Sequence, residues 1–116
     1  MSTLAERCVE RGIEWLDEVM PYVNEVPWYE NIDLDTLNIQ FTDRCVLGQL
    51  GGFRTLMDEH DLDDDFCEQY GFDSWTCNTT QNELTEAWIE AIRARRKVYV
   101  WKRQRWQRIW RSKPNA

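Results

Sequence analysis

The chain has 116 residues, of which 42% are hydrophobic and 13% aromatic, a composition that indicates one folded domain rather than a disordered polypeptide. No stretch approaches the roughly 20 apolar residues that cross a bilayer, and the first residues lack the apolar run of a secretory signal. We therefore expect a soluble protein that stays in the cytoplasm with its cysteines reduced.

The formal net charge of −7 conceals two blocks of opposite sign. Residues 1–92 contain all 21 acidic residues and four arginines, which gives this part a charge of −17. Residues 93–116 contain ten Lys or Arg and no acid, which gives +10. Such an asymmetry bears on the choice of partners and on solubility rather than on the fold.

The first predicted helix begins at a capping box, Thr3 to Glu6, in which a hydroxyl and a carboxylate each satisfy a backbone N–H. Apolar residues at helical spacing follow until Pro21 limits the helix. Residues 21–42 indicate an irregular connector. Within it, the alternating residues 38–41 are the candidate for one short strand.

The middle of the chain predicts short helices separated by glycine. Thr42 or Asp43 is expected to cap a helix through the apolar residues 45–50, which should break at Gly51 and Gly52. A second short helix is expected over residues 66–70, with a left-handed glycine as its terminator.

The last segment gives the clearest prediction, a helix over residues 81–111 that starts at a second capping box, 80–83. Neither Pro nor Gly interrupts it before Pro114. Its apolar residues form one broad stripe at 3.6 residues per turn: Leu84, Trp88, Ala91, Ile92, Val98, Tyr99, Trp106, Ile109 and Trp110.

The predicted fold is mainly α, a small single-domain helical bundle with a long basic C-terminal helix. We divide the chain into an acidic helical body, residues 1–96, and a basic Trp-rich extension of the last helix, residues 97–116. The change of sign falls inside one helix rather than at a linker, which predicts that the basic surface is held rigidly relative to the body.

Three blocks, residues 45–53, 70–73 and 84–96, resemble a family of small proteins of no known activity that bacteriophages of actinobacteria encode. The resemblance covers roughly residues 10–96. It implies an accessory protein acting in the cytoplasm of a host bacterium, and it brings no cofactor and no site residues. The basic extension departs from the family pattern.

The basic segment is the main candidate for function, because cations interleaved with indoles can neutralise phosphates while the rings stack on bases. The same residues suit a host protein or a second copy of the chain, and a membrane surface is the least favoured partner. A structural interpretation, in which the apolar residues are only core or an oligomer contact, stays open. The predicted contact residues are Arg93, Arg95, Arg96, Lys97, Trp101, Lys102, Arg103, Arg105, Trp106, Arg108, Trp110 and Arg111.

Other patterns do not support a metal site or a catalytic site. The acidic run 58–65 matches the first three ligands of an EF-hand loop, but Phe66 and Phe72 stand where Gly and a bidentate Glu are needed. None of the four cysteines has a second cysteine two to four residues away, as zinc sites usually require, and His60 is the only histidine. We expect no cofactor, no metal and no enzymatic activity.

Two functions follow as hypotheses. The first is a non-enzymatic accessory protein whose basic segment engages nucleic acid or a host protein associated with nucleic acid. The alternative is a protein-interaction module that self-assembles through the basic segment or inhibits a host protein through its acidic surface.

Overall fold

The computed structural model describes residues 3–73 and 81–112, with side chains in the second range for residues 82–102. Five helices and one small hairpin make up this part, and a single 3₁₀ turn, Trp28–Glu30, follows the hairpin. The elements are α1 (Leu4–Val19), β1 (Tyr22–Val23), β2 (Val26–Pro27), α2 (Val46–Leu50), α3 (Phe53–Glu59), α4 (Asp64–Gln69) and α5 (Gln81–Ser112). The prediction of a mainly α fold with a long last helix is confirmed.

Helix α1 begins and ends where the sequence predicted. The Thr3 hydroxyl accepts a hydrogen bond from the Glu6 N–H at 3.1 Å, which satisfies one of the free donors of the first turn. The helix ends at Val19, directly before Met20 and Pro21. The second capping box includes residue 80, which lies outside the described residues.

The predicted strand at residues 38–41 is wrong. The Asn38 carboxamide accepts from the Gln40 N–H at 2.9 Å, and the Phe41 N–H donates to the Asn38 carbonyl at 3.2 Å, so this segment is a turn. The Ile39 N–H donates to the Thr85 hydroxyl at 3.1 Å. The backbone N–H groups of this segment are thus used within the turn or by a side chain and do not pair with a neighbouring strand.

The sheet forms instead at β1 and β2, where Tyr22 pairs with Pro27 and Val23 with Val26 in antiparallel register. The two turn residues, Asn24 and Glu25, have φ of 54° and 70°. Positive φ at both central residues is the geometry of the type I′ turn that closes two-residue hairpins.

The boundaries of the short helices differ slightly from the prediction. Cys45, rather than Thr42 or Asp43, caps α2, and its Sγ accepts from the Gly48 N–H at 3.3 Å because residues 42–44 form a turn. The helix stops before the glycine pair, as predicted.

Helix α4 starts two residues earlier than expected, after the Asp63 cap. Its side chain accepts from the Phe66 N–H at 2.7 Å. Gly71 follows with the predicted left-handed φ of 78°.

The core is centred on α1 and α5 and also includes buried side chains of α2, α3, α4 and the connector. Leu16 of α1 and Leu84, Trp88 and Ile92 of α5 are completely buried. Gly12 makes the close approach possible, because a Cβ there would lie 2.3 Å from the Tyr70 carbonyl oxygen and 2.8 Å from the Trp88 ring. The contact fixes the direction of α5 relative to the acidic body.

Candidate functional site

Helix α5 carries the change of sign without interruption, from Glu90 to Arg93 and on to Ser112. Its 32 residues correspond to a length of about 48 Å. We call residues 93–112 of α5 the basic arm and residues 1–92, which carry the charge of −17, the body. The prediction that the arm is a direct continuation of a core helix, with no linker, is confirmed for the backbone.

An ion pair fastens the base of the basic arm to α1. The Arg95 guanidinium donates to both carboxylate oxygens of Asp17, at 3.1 and 2.7 Å. Asp17 also accepts from the indole N–H of the buried Trp28 at 2.9 Å. The paired side chains of Arg95 and Asp17 are 40% and 38% exposed, so solvent screens the charge attraction, and the two-point geometry supplies the orientation.

A second set of contacts ties the arm to the segment after the hairpin. The Arg96 guanidinium donates through Nε and Nη2 to the Tyr29 carbonyl at 3.0 and 2.8 Å, and through Nη2 to the Ile32 carbonyl. The Tyr29 ring meets the Tyr99 ring edge-on at 6.1 Å. Burial raises the pKa of the Tyr29 phenol. Arg95 and Arg96 were both predicted to contact a partner, but their guanidinium groups donate hydrogen bonds within the chain.

Replacing Asp17 by alanine is expected to lower the free energy of unfolding by about 1–3 kcal/mol. The larger share comes from the Trp28 indole N–H, which would be buried without an acceptor, and the screened ion pair adds the rest. Urea denaturation followed by circular dichroism measures the loss. Exposed Glu18 on the same helix gives the matched control, since Glu18→Ala should change stability by no more than about 0.5 kcal/mol. Equal losses of stability in the two variants would contradict the role of Asp17 in fastening the arm to α1.

Beyond the anchor, α5 presents cations and apolar side chains together. Arg93, Lys97 and Lys102 are exposed. Trp101 is 56% exposed, and Val98 and Val100 are 50% and 48% exposed. The apolar stripe predicted along α5 is therefore buried over only part of its length. Leu84, Trp88 and Ile92 belong to the core, whereas the Val98 side chain is half exposed to solvent.

A shallow hollow of about 370 Å³ lies on the exposed side of the arm, lined by Arg96, Lys97, Val100 and Trp101. Two basic residues, Arg96 and Lys97, and the Trp101 indole thus line one surface depression. The remaining predicted contacts stay predictions, because their side chains lie outside those described: Arg103, Arg105, Trp106, Arg108, Trp110 and Arg111.

The acidic run 58–65 has a structural role at the start of α4. Asp63 is the N-cap, and Asp64 and Asp65 occupy the first turn, where the helix dipole favours negative charge. Within residues 3–73 and 81–112, no three His, Cys, Asp or Glu side chains group in a way that would hold a metal ion.

The thiols of Cys8, Cys45 and Cys67 are buried. Burial raises the pKa of the Cys67 thiol to about 12 and also raises that of Cys45, so both thiols are protonated at neutral pH. A thiolate is the reactive form, and these sites disfavour it. The environment is that of core packing rather than of a nucleophile.

This gives a direct prediction for thiol reactivity in a Cys77→Ser background, which removes the one cysteine outside the described residues. At pH 8 in native buffer, Ellman's reagent should modify all three thiols only slowly, because each is buried and the pKa of the Cys67 thiol is raised to about 12. All three should react at once in urea. Rapid modification of Cys67 in the folded protein would contradict the described burial.

Among the described helices, none combines the length and hydropathy needed to cross a lipid bilayer. Comparison with known proteins finds no match to a family model, to a curated protein or to a solved structure. The resemblance to phage proteins therefore stays a hypothesis.

Proposed function

We propose that the protein is a non-enzymatic bacteriophage accessory protein that acts in the host bacterial cytoplasm by binding nucleic acid, or a host protein associated with nucleic acid, through its basic arm. One observation carries the proposal. Exposed Lys97, Trp101 and Lys102 lie on a helix whose base Arg95 and Arg96 fasten to the body. The cations are thus presented in a fixed direction, at little further cost in conformational entropy.

The chemistry of the arm suits a polyphosphate backbone. Lysine and arginine neutralise phosphates and release counterions, and an exposed indole can stack on an unpaired base. The body, with its charge of −17, repels the same ligand, so contact is restricted to the arm. An acidic body also disfavours wrapping, which points to a short contact along one helix.

The direct test is a fluorescence anisotropy titration with labelled duplex DNA, single-stranded DNA and RNA at low salt. Binding of at least one of the three supports the proposal, and preference for a single strand would indicate that indole stacking contributes. Absence of binding to all three at low salt would overturn direct binding of nucleic acid by the arm.

A protein partner is the second candidate, supported by the apolar side chains that the arm exposes. Val98, Val100 and Trp101 are each about half exposed, and a desolvated indole is the kind of side chain that anchors protein interfaces. A variant of this function is inhibition of a host protein through the acidic surface of the body. Capture from host lysate with and without nuclease separates the candidates: nuclease abolishes capture through nucleic acid and leaves direct capture of a protein intact.

A further inference from the structure

The exposed face of α5 has the spacing of a helix–helix seam. Ala87, Ala91, Ala94, Val98 and Trp101 recur at intervals of four, three, four and three residues, which is the a/d spacing of coiled coils. Ala94, Val98 and Trp101 are exposed, and Ala87 and Ala91 are half-buried. Alanine on this face lets the backbone of a second helix approach closely, since the distance between helix axes depends on the side chains at the contact.

Next to the first half of this seam, α1 and α5 form an acidic groove. Two adjoining hollows of about 180 and 250 Å³ share Glu6, Ala87 and Glu90. Buried Val9 and Ile13 contribute to the floor. The other carboxylates that line the groove are Glu10, Glu83 and Glu86. An apolar floor with acidic edges is complementary to a basic amphipathic helix.

The chain's own arm cannot occupy this groove. Groove and arm belong to the same continuous helix, so within one chain the arm points away from the acidic half. A second copy can supply the arm, if the two α5 helices run antiparallel. Each acidic half then meets a basic half, whereas a parallel pair would place like charges side by side.

We propose that two copies form a symmetric dimer through antiparallel α5 helices, with the basic arm of each lying over the α1–α5 groove of the other. A two-fold axis near Arg93 places Ala91 opposite Ala94 of the partner subunit and Ala87 opposite Val98 of the partner subunit. Glu90 then lies across from Lys97 of the partner subunit, and symmetry makes this pair occur twice. The interface uses Lys97 and Trp101, so dimerisation and nucleic-acid binding compete for the same surface of the arm.

Sedimentation equilibrium at low salt tests the proposal, with full-length protein at concentrations up to about 1 mM, the weak end of measurable association. The wild type should show twice the 14.0 kDa mass of the chain. Glu90→Lys and Lys97→Glu should each weaken the dimer by at least about tenfold, because each creates two like-charge pairs. The control Glu59→Lys makes the same charge change at an exposed residue of α3 and should leave the dimer intact.

Mixing the two variants gives the sharpest result. In the mixed dimer both pairs are again of opposite sign, so an equimolar mixture of Glu90→Lys and Lys97→Glu should associate more tightly than either variant alone. A monomeric wild type, variants that dimerise like the wild type, or a mixture that stays monomeric would each overturn the proposal. Nucleic-acid binding by Glu90→Lys, which keeps every cation of the arm, reports separately on the proposed function.

Discussion

Replacing Trp88 by alanine is expected to lower the free energy of unfolding by about 3–5 kcal/mol, the largest loss that we anticipate for one residue. Trp88 is completely buried and stacks on Phe72 with ring centroids 5.6 Å apart. Its indole N–H donates to the Gly71 carbonyl at 2.6 Å, and its ring packs where Gly12 leaves room. Typical domains have only about 5–15 kcal/mol in total, so the variant should be close to unfolding at 37 °C.

The conservative variant Trp88→Phe separates ring packing from the hydrogen bond. It keeps an aromatic ring against Phe72 and leaves the Gly71 carbonyl without its donor, for an expected loss of about 1–2 kcal/mol. Urea denaturation followed by circular dichroism gives both values. A loss under about 1 kcal/mol for Trp88→Ala would show that α5 does not depend on this contact with the body.

Reversing the charge of two exposed cations on the arm, in the double variant Lys97→Glu/Lys102→Glu, is expected to weaken nucleic-acid binding on the order of 100-fold at low salt. The variant removes two phosphate contacts and adds two repulsive charges beside the remaining ones. Both residues are exposed, so the fold should be unaffected. Anisotropy titration of the same labelled oligonucleotide measures the change.

The matched control is Arg44→Glu/Arg54→Glu, which shifts the net charge by the same amount on exposed residues of the body. If the arm is the contact surface, this variant should bind within a few-fold of the wild type. Equal weakening by both variants would mean that only net charge matters and that the arm has no special role.

The long helix α5 and the break at Gly51 and Gly52 were predictable from sequence, because both depend on local patterns. Helical periodicity continues unbroken from Leu84 to the end of the helix, and a glycine pair favours termination. The Thr3 cap is equally local, as its bond spans only three residues.

The elements that sequence reasoning missed carry no clear signal in the residues that form them. The turn at 38–41 is held by Thr85, 46 residues away from Ile39. The hairpin uses Asn24 and Glu25 at positive φ, and Glu is not a residue that signals such a turn.

The anchoring role of Arg95 and Arg96 was missed because their contacts join distant parts of the chain. Their partners Asp17, Tyr29 and Ile32 lie 64 to 78 residues away. A signal was nevertheless present. Arg95 and Arg96 lie seven and eight residues after Trp88, and three and four residues after Ile92. These spacings put both arginines on the side of the helix that carries the buried residues.

The contacts of Arg95 and Arg96 fix where the basic surface lies relative to the acidic body. A basic tail on a flexible linker could bind in any orientation, whereas α5 holds Lys97, Trp101 and Lys102 at a fixed position relative to the acidic body. Each phosphate ligand therefore meets an attractive surface next to a repulsive one. That arrangement favours a short, oriented contact, and it would let a protein of net charge −7 bind nucleic acid through the proposed surface.

The dependence of affinity on salt tests the central claim, binding of phosphates by the arm, most directly. If the arm contacts about five phosphates, a plot of log K against log salt concentration should have a slope of about −4.5 on duplex DNA and about −3.5 on a single strand. The variant Lys97→Glu/Lys102→Glu should have a shallower slope, reduced by the contribution of about two phosphate contacts. A slope near zero, or the same slope in the wild type and this variant, would contradict the claim.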